Sequence, residues 1–171
     1  MTRTPTHAID TPMGKKKAKE TVPGKKIICS NRKAFHQYAI SQKLEAGIIL
    51  LGSEVKSCRA NQVQLGDAHI RIMQGEAFLI GAYISEYTFS NQFNHETDRT
   101  RKLLLHHKEI ERLHARLQKK GETAVPLSLY FLKGKVKVEI GIGKGKAQYD
   151  KRQDIKKRDV NRDMQRAMRR G

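Results

Sequence analysis

The stretch Lys135-Val136-Lys137-Val138-Glu139-Ile140-Gly141-Ile142-Gly143 alternates apolar and polar side chains with a period of two. That is the pattern of a strand with one face on a core and one in water. It ends at Lys144-Gly145-Lys146-Ala147-Gln148-Tyr149-Asp150-Lys151-Arg152, where the apolar residues run out. Lys144 to Gly171 holds eleven Lys/Arg against four Asp, and so carries +7 of a formal net charge of +18. A segment this poor in apolar groups cannot offset the entropy of ordering itself. The joint therefore separates a domain that folds alone from a basic tail that needs a polyanion to fold on.

Working outward, Lys133-Gly134 is the turn into this strand, and Val125, Leu127, Leu129 and Phe131 alternate toward the core on the strand before it. Arg99 to Lys120 reads as a helix, with Leu103, Ile110, Leu113 and Leu117 at helical spacing, a Glu109–Arg112 ion pair, and Gly121 to stop it. Residues 86–98 read as an irregular loop. A hairpin precedes it. Ile70 and Ile72 go out, Gln74-Gly75-Glu76 turns, and Phe78, Ile80, Ala82 and Ile84 return. Earlier still, order begins near Lys26, Asn31-Arg32-Lys33 is a polar break, and Tyr38 to Leu51 is a bent strand. A short helix follows from Ser53 to about Ala60, with Val55 and Cys58 inward and Glu54, Lys56 and Arg59 outward. Asn61 closes it in a left-handed turn.

These elements predict a mainly β chain with short helices, a small closed or nearly closed antiparallel barrel that hides its strand edges. The expected organisation is a disordered basic arm over 1–25, the barrel over 26–143 and the basic tail over 144–171. At 171 residues there is room for one ordinary domain with extensions.

The charge is spread over all three parts. Residues 1–30 carry +5, residues 31–143 carry +6 and the tail the rest. A basic excess on the body as well as the ends points to a nucleic acid. Candidate phosphate ligands on the body are Arg32 and Lys33, Lys56 and Arg59, Arg99, Arg101 and Lys102, and Lys135 and Lys137. Each alone is an ordinary solvated charge, and it is their clustering beside loops that suggests function. In the tail, a helix would gather Val160, Met164, Ala167 and Met168 on one side and Arg158, Arg162, Arg166 and Arg169 on the other. Its stripe lacks Trp, Phe and Leu, which argues for RNA over a membrane surface.

Catalysis finds little support. His106, His107 and His114 lack a Cys or carboxylate partner at ligand spacing, so neither metal nor other cofactor is expected. Cys29 and Cys58 fit a reducing compartment, and nothing local activates either thiol as a nucleophile for His36 or His69 to serve. Glu45 and Glu54 could form an acid–base pair, but a surface pair is commoner. Without a membrane span or an apolar leader, the expected location is the cytoplasm.

One block is more specific. Glu45-Ala46-Gly47-Ile48-Ile49-Leu50-Leu51-Gly52-Ser53-Glu54-Val55-Lys56-Ser57-Cys58-Arg59 resembles the most distinctive segment of the SsrA-binding protein family. Asn31-Arg32-Lys33-Ala34, Arg101-Lys102-Leu103-Leu104-Leu105, and Gly145-Lys146 through Tyr149-Asp150-Lys151-Arg152 resemble its other signatures in family order, over about residues 26–158. The resemblance implies an OB-like barrel without catalytic activity. Such a barrel would bind the tRNA-like domain of transfer-messenger RNA (tmRNA) and deliver it to stalled ribosomes in trans-translation. Elongation factor Tu with alanyl-tmRNA would be an indirect partner.

The same resemblance places tmRNA contacts on Asn31, Arg32, Lys33, His36, Glu45, Leu104 and Lys137, and we assign Glu54, Lys56 and Arg59 to that surface. Tyr149 would be the decoding-centre ring ahead of Asp150-Lys151-Arg152. Lys144, Lys146, Arg158 and Arg162 would join these residues on small-subunit ribosomal RNA, along the empty messenger channel of the 70S ribosome. Ala147 stands where a second Lys is usual, and Asn61 where Gly is usual. The alternatives are a structural ribosomal or RNA-chaperone protein and, more remotely, an RNA-processing enzyme.

Overall fold

A computed structural model describes residues 24–87, 95–147, 160, 162 and 164–168. The predicted arm, part of the predicted 86–98 loop and most of the tail lie outside them. In chain order the elements are β1 (Lys25–Ser30), α1 (Arg32–Gln37), β2 (Tyr38–Ile48), α2 (Gly52–Arg59), β3 (Val63–Gln64) and β4 (His69–Met73). They continue with β5 (Glu76–Ile80), β6 (Tyr83–Ile84), β7 (Arg101–Leu104), α3 (His107–Leu117), β8 (Glu122–Leu132) and β9 (Lys135–Gly145). Seven strands form one antiparallel sheet in the order β1-β8-β9-β2-β7-β5-β4, and β3 pairs with β6 separately.

The two tight hairpins form for a local reason. Lys133 and Gly134 have φ of 49° and 77°, and Gln74 and Gly75 have 51° and 76°. Two successive positive φ values give a turn whose twist matches that of the flanking strands. Two glycines of β9 permit close packing instead. A Cβ on Gly143 would collide with the Ala39 carbonyl, and one on Gly141 would come within 2.9 Å of the Leu127 side chain.

The sheet curls until β4 lies beside β8. Its edges, β1 and β4, are not hydrogen-bonded to each other, so the sheet is not closed. Register shifts in β1, β2 and β8 supply part of the curvature. The shift between Pro126 and Ser128 also changes which residues face the core. Ala124 and Leu129 join the main cluster, whereas Val125 and Leu127 pack with Ala34 under α1. The uniform face predicted from Val125 to Phe131 is therefore divided, and β8 is buried on both sides from Ala124 to Tyr130.

Four further expectations change. Arg32–Gln37 is a helix, not a break, because the Asn31 side chain accepts from the Ala34 N–H at 3.0 Å and caps its start. Arg101–Leu104 is a strand, not the first turns of a helix. Arg101 and Leu103 point inward and Leu104 outward, and the backbone is used by β5 and β2. In the returning hairpin strand it is Ala77 and Leu79, not Phe78 and Ile80, that are buried. Glu109 accepts from the His106 N–H at 2.9 Å at the head of α3 in place of an Arg112 pair, His107 Nδ1 lies 3.4 Å from Glu111, and Arg116 pairs with Glu122.

Candidate nucleic-acid interface

Pairing register aligns Tyr130, Lys137, Gly47 and Leu104 in one row across β8, β9, β2 and β7. Gly47 lets the Leu104 side chain lie close against β2, since a Cβ there would meet the Leu104 Cβ at 3.1 Å. Beside them opens a groove of about 770 Å³, lined by Glu45, Lys102, Leu104, His106 and Lys137 among others. Leu104 is 53% exposed although it is a large apolar side chain.

Glu45, two residues before Gly47 on the same face of β2, is held from both sides. Lys137 Nζ donates to its Oε1 at 2.5 Å and the Tyr130 hydroxyl donates to its Oε2. Lys25 Nζ lies 3.8 Å from the centre of the Tyr130 ring. The hydrogen bonds from Lys137 and Tyr130 hold the Glu45 carboxyl below the usual carboxylate range. Burial and the adjoining Glu45 push the Tyr130 phenol up, so it keeps its proton and remains a donor. Glu45, Leu104 and Lys137, assigned together from sequence, do converge here. Tyr130, Lys25 and Gly47 were overlooked. The signal for Tyr130 was a polar-tipped aromatic in an otherwise apolar strand, which needs a partner for its hydroxyl.

A second group sits on α1, at the other end of β2. Tyr38 and Glu45 are separated by about 23 Å at the usual strand rise of ~3.3 Å per residue. Arg32 and Lys33 are exposed and His36 is half-buried. Asn31 is buried, with both ends of its amide used: Oδ1 caps α1 and Nδ2 donates to the Leu65 carbonyl at 2.7 Å. It holds the helix that carries Arg32 and Lys33, and is not itself a surface group. Lys33 and Asp67 approach to 3.9 Å with both side chains mostly in water, a weak pair.

Lys56 and Arg59, exposed on the last turn of α2, form a third group, and Lys56 Nζ is 5.0 Å from the centre of the Tyr87 ring. Glu54, on the same helix, corrects the sequence reading. It is fully buried and not outward, and so offers nothing to an RNA. Its oxygens accept from Arg99 at 2.9 and 2.5 Å, from Arg101 Nε at 2.8 Å, and from the Leu51 N–H at 2.7 Å. Burial pushes the Glu54 carboxyl up, but these donors outweigh it and hold the carboxyl below the ordinary range. Arg101 is also fully buried, donating as well to the Ala82, Arg99 and Thr97 carbonyls. It is therefore out of reach of any phosphate. Lys102 lines the groove but is paired with Glu76 at 2.5 Å.

At the joint, Lys144 is exposed, while Lys146 ties the end of β9 to α1 through its N–H to the Gln37 carbonyl at 2.8 Å and its Nζ to the Phe35 carbonyl at 3.2 Å. Tyr149, Asp150, Lys151, Arg152 and Arg158 lie outside the described residues. Arg162 is helical and exposed, as are Val160, Met164 and Met168. Among the described residues no cluster of His, Cys, Asp and Glu has the arrangement of a metal site, and no helix is long and apolar enough to cross a membrane. Burial pushes the Cys29 thiol up and the Cys58 thiol up to about 12, which leaves neither poised as a nucleophile.

This geometry can be set beside known proteins. A family model described as SmpB protein matches residues 28–170. An SsrA-binding protein of Pelobacter propionicus is 52% identical over 145 residues, 85% of this chain and 95% of that one. Another, from Chlamydia trachomatis, is 52% identical over 147 residues, 86% of this chain and 97% of its own. A solved chain from a tmRNA-SmpB structure, described as a journey to the center of the bacterial ribosome, is 42% identical. It superposes with a TM-score of 0.61, covering 70% of this chain and 85% of that chain.

Proposed function

The chain belongs to the SmpB family, and from that premise we propose that it binds tmRNA and acts with it in trans-translation on the ribosome. It is an RNA-binding factor and not an enzyme. The observation that carries this reading is the family match across residues 28–170, a span that includes the groove where Glu45, Leu104 and Lys137 meet.

The body, residues 26–143, receives the tRNA-like domain of tmRNA on Glu45, Leu104 and Lys137, with Arg32, Lys33 and His36 at the other end of β2 and Lys56 and Arg59 on α2. Asn31 and Glu54 hold these groups in place from within. The curled sheet is OB-like, a reading supported by the approach of β4 to β8. Residues 144–171 enter the small subunit at the decoding centre and the empty messenger channel, where they are helical. Lys144, Lys146, Tyr149, Asp150, Lys151, Arg152, Arg158 and Arg162 meet ribosomal RNA there. Alanyl-tmRNA brings elongation factor Tu to the same complex, and the setting is the cytoplasm.

Isolation of the protein from its host and sequencing of the bound RNA tests this directly. A dominant tmRNA species is expected, and bulk ribosomal RNA alone would contradict the reading. A chain ending at Lys146 should retain tmRNA yet fail to support peptide tagging.

A further inference from the structure

A carboxylate in the middle of an RNA groove needs a reason, because it repels phosphates. Glu45 is not there by looseness. Tyr130 and Lys137 each hold one of its oxygens, and the side chain still keeps 44% of its surface in solvent. A carboxylate accepts about four hydrogen bonds, two per oxygen. Each Glu45 oxygen therefore has one acceptor site left, and the pair faces a groove large enough for a nucleobase.

We propose that Glu45 reads the Watson–Crick edge of one unpaired guanine, its two oxygens accepting from the N1–H and N2–H donors of a base seated in this groove. This deepens the function proposed above and rests on it. Of the four bases, guanine alone presents two adjacent donors on that edge, at a spacing that fits the two oxygens of a carboxylate. Adenine and cytosine each offer one amino group beside an acceptor, which a carboxylate repels. The edge is open only in an unpaired base, which is how RNA sequence is generally read. The other walls suit the same ligand. Exposed Leu104, lying against Gly47, offers an apolar surface to a base face, and Lys137 stands beside the carboxylate to meet the adjoining phosphate. Tyr130 is a positioning residue: buried under Lys25, it fixes the Glu45 carboxylate without reaching the groove. The low pKa of Glu45 keeps it ionised and accepting at neutral pH.

The test uses the full chain and the tRNA-like domain of tmRNA with each unpaired guanine replaced singly by inosine, which lacks the N2 amino group. One position should weaken wild-type binding by about tenfold, in the range of a good bidentate base contact. The same replacement should be silent with Glu45→Gln, which keeps the side-chain shape but has a single acceptor oxygen. Tyr130→Phe, which keeps the ring under Lys25, should reduce the guanine preference while leaving the salt dependence of binding unchanged, since no phosphate contact is touched. Tight binding by the wild type that tolerates every inosine overturns the base reading alone. Equal inosine sensitivity in Glu45→Gln does so too, as does a loss on 2′-deoxy substitution without any inosine effect, which would assign the carboxylate to a ribose hydroxyl. Failure of the wild type to prefer the unmodified RNA over an unrelated hairpin overturns the function on which the inference is built.

Discussion

Glu45 and Glu54 are each gripped by two side chains and each held below the ordinary carboxylate range, yet their settings are opposite. Glu54 has no exposed side-chain surface and is closed in by Arg99 and Arg101, whereas Glu45 keeps 44% of its side chain in solvent. The buried triad joins the start of α2 to β7 and to the Ala82 and Thr97 carbonyls, so it fixes the fold around the groove. The exposed pair fixes only the carboxylate itself. Equal chemistry thus closes one carboxylate into the architecture and leaves the other open to a partner, and accessible surface makes the difference.

The largest effect should come from the buried member. Glu54→Gln leaves Arg101 as an uncompensated charge with no access to water, and should destabilise the protein by about 3–5 kcal/mol in urea unfolding at pH 7. Replacing both partners, Glu54→Leu with Arg101→Met, should recover most of that loss. A single-variant cost under about 1 kcal/mol would mean that the site is wet. The pH dependence has a definite sign. Because the folded-state pKa of Glu54 is depressed, its contribution is complete above the unfolded carboxylate value of about 4.3 and is lost as pH falls through the lower folded value. The stability gap between wild type and Glu54→Gln should therefore narrow as acid is added from that point.

A smaller effect separates two glycines at the end of β9. Gly143→Ala forces a Cβ against the Ala39 carbonyl, whereas Gly145→Ala meets nothing within 4 Å. The first should cost about 1–3 kcal/mol, as overpacking does, and the second should leave the thermal midpoint in place. Equal midpoints would show that β2 and β9 can part locally without loss.

How much of this was legible in the sequence depends on how local each signal was. The strand 135–143, the turns at Lys133-Gly134 and Gln74-Gly75 and the helix after Leu51 are written in neighbouring residues, and all are present. Leu103 misled because an apolar residue before Ile110 and Leu113 fits a helical spacing as well as a strand. Only the burial of Arg101 against Glu54, 47 residues away, decides between them. Glu54 was placed outward because a charged helix residue ordinarily faces water, and its two arginines come from a distant segment. The α1 helix was missed because its core side is only Ala34, although Asn31 at its head was a usable cap signal. On the candidate interface, Glu45, Leu104 and Lys137 came from a family resemblance; Tyr130 is marked in the sequence only as a polar-tipped aromatic in an apolar strand, and its partner emerges from pairing across β8, β9 and β2.

The smallest effect belongs to the thiols. Cys29→Ser with Cys58→Ser should leave trans-translation intact, at a packing cost on the order of 1 kcal/mol. Loss of activity in a folded double variant would point to a thiol role that the raised thiol pKa values argue against.

The contrast between the two carboxylates is tested most directly by titrating tmRNA against full-length wild type, Glu45→Gln and Glu54→Gln at a temperature where all three are folded. Glu45→Gln should unfold at the wild-type temperature but bind about tenfold or more weakly. Glu54→Gln should unfold earlier, yet bind normally while folded. Wild-type affinity in Glu45→Gln, or a weakened affinity confined to Glu54→Gln, would contradict this contrast.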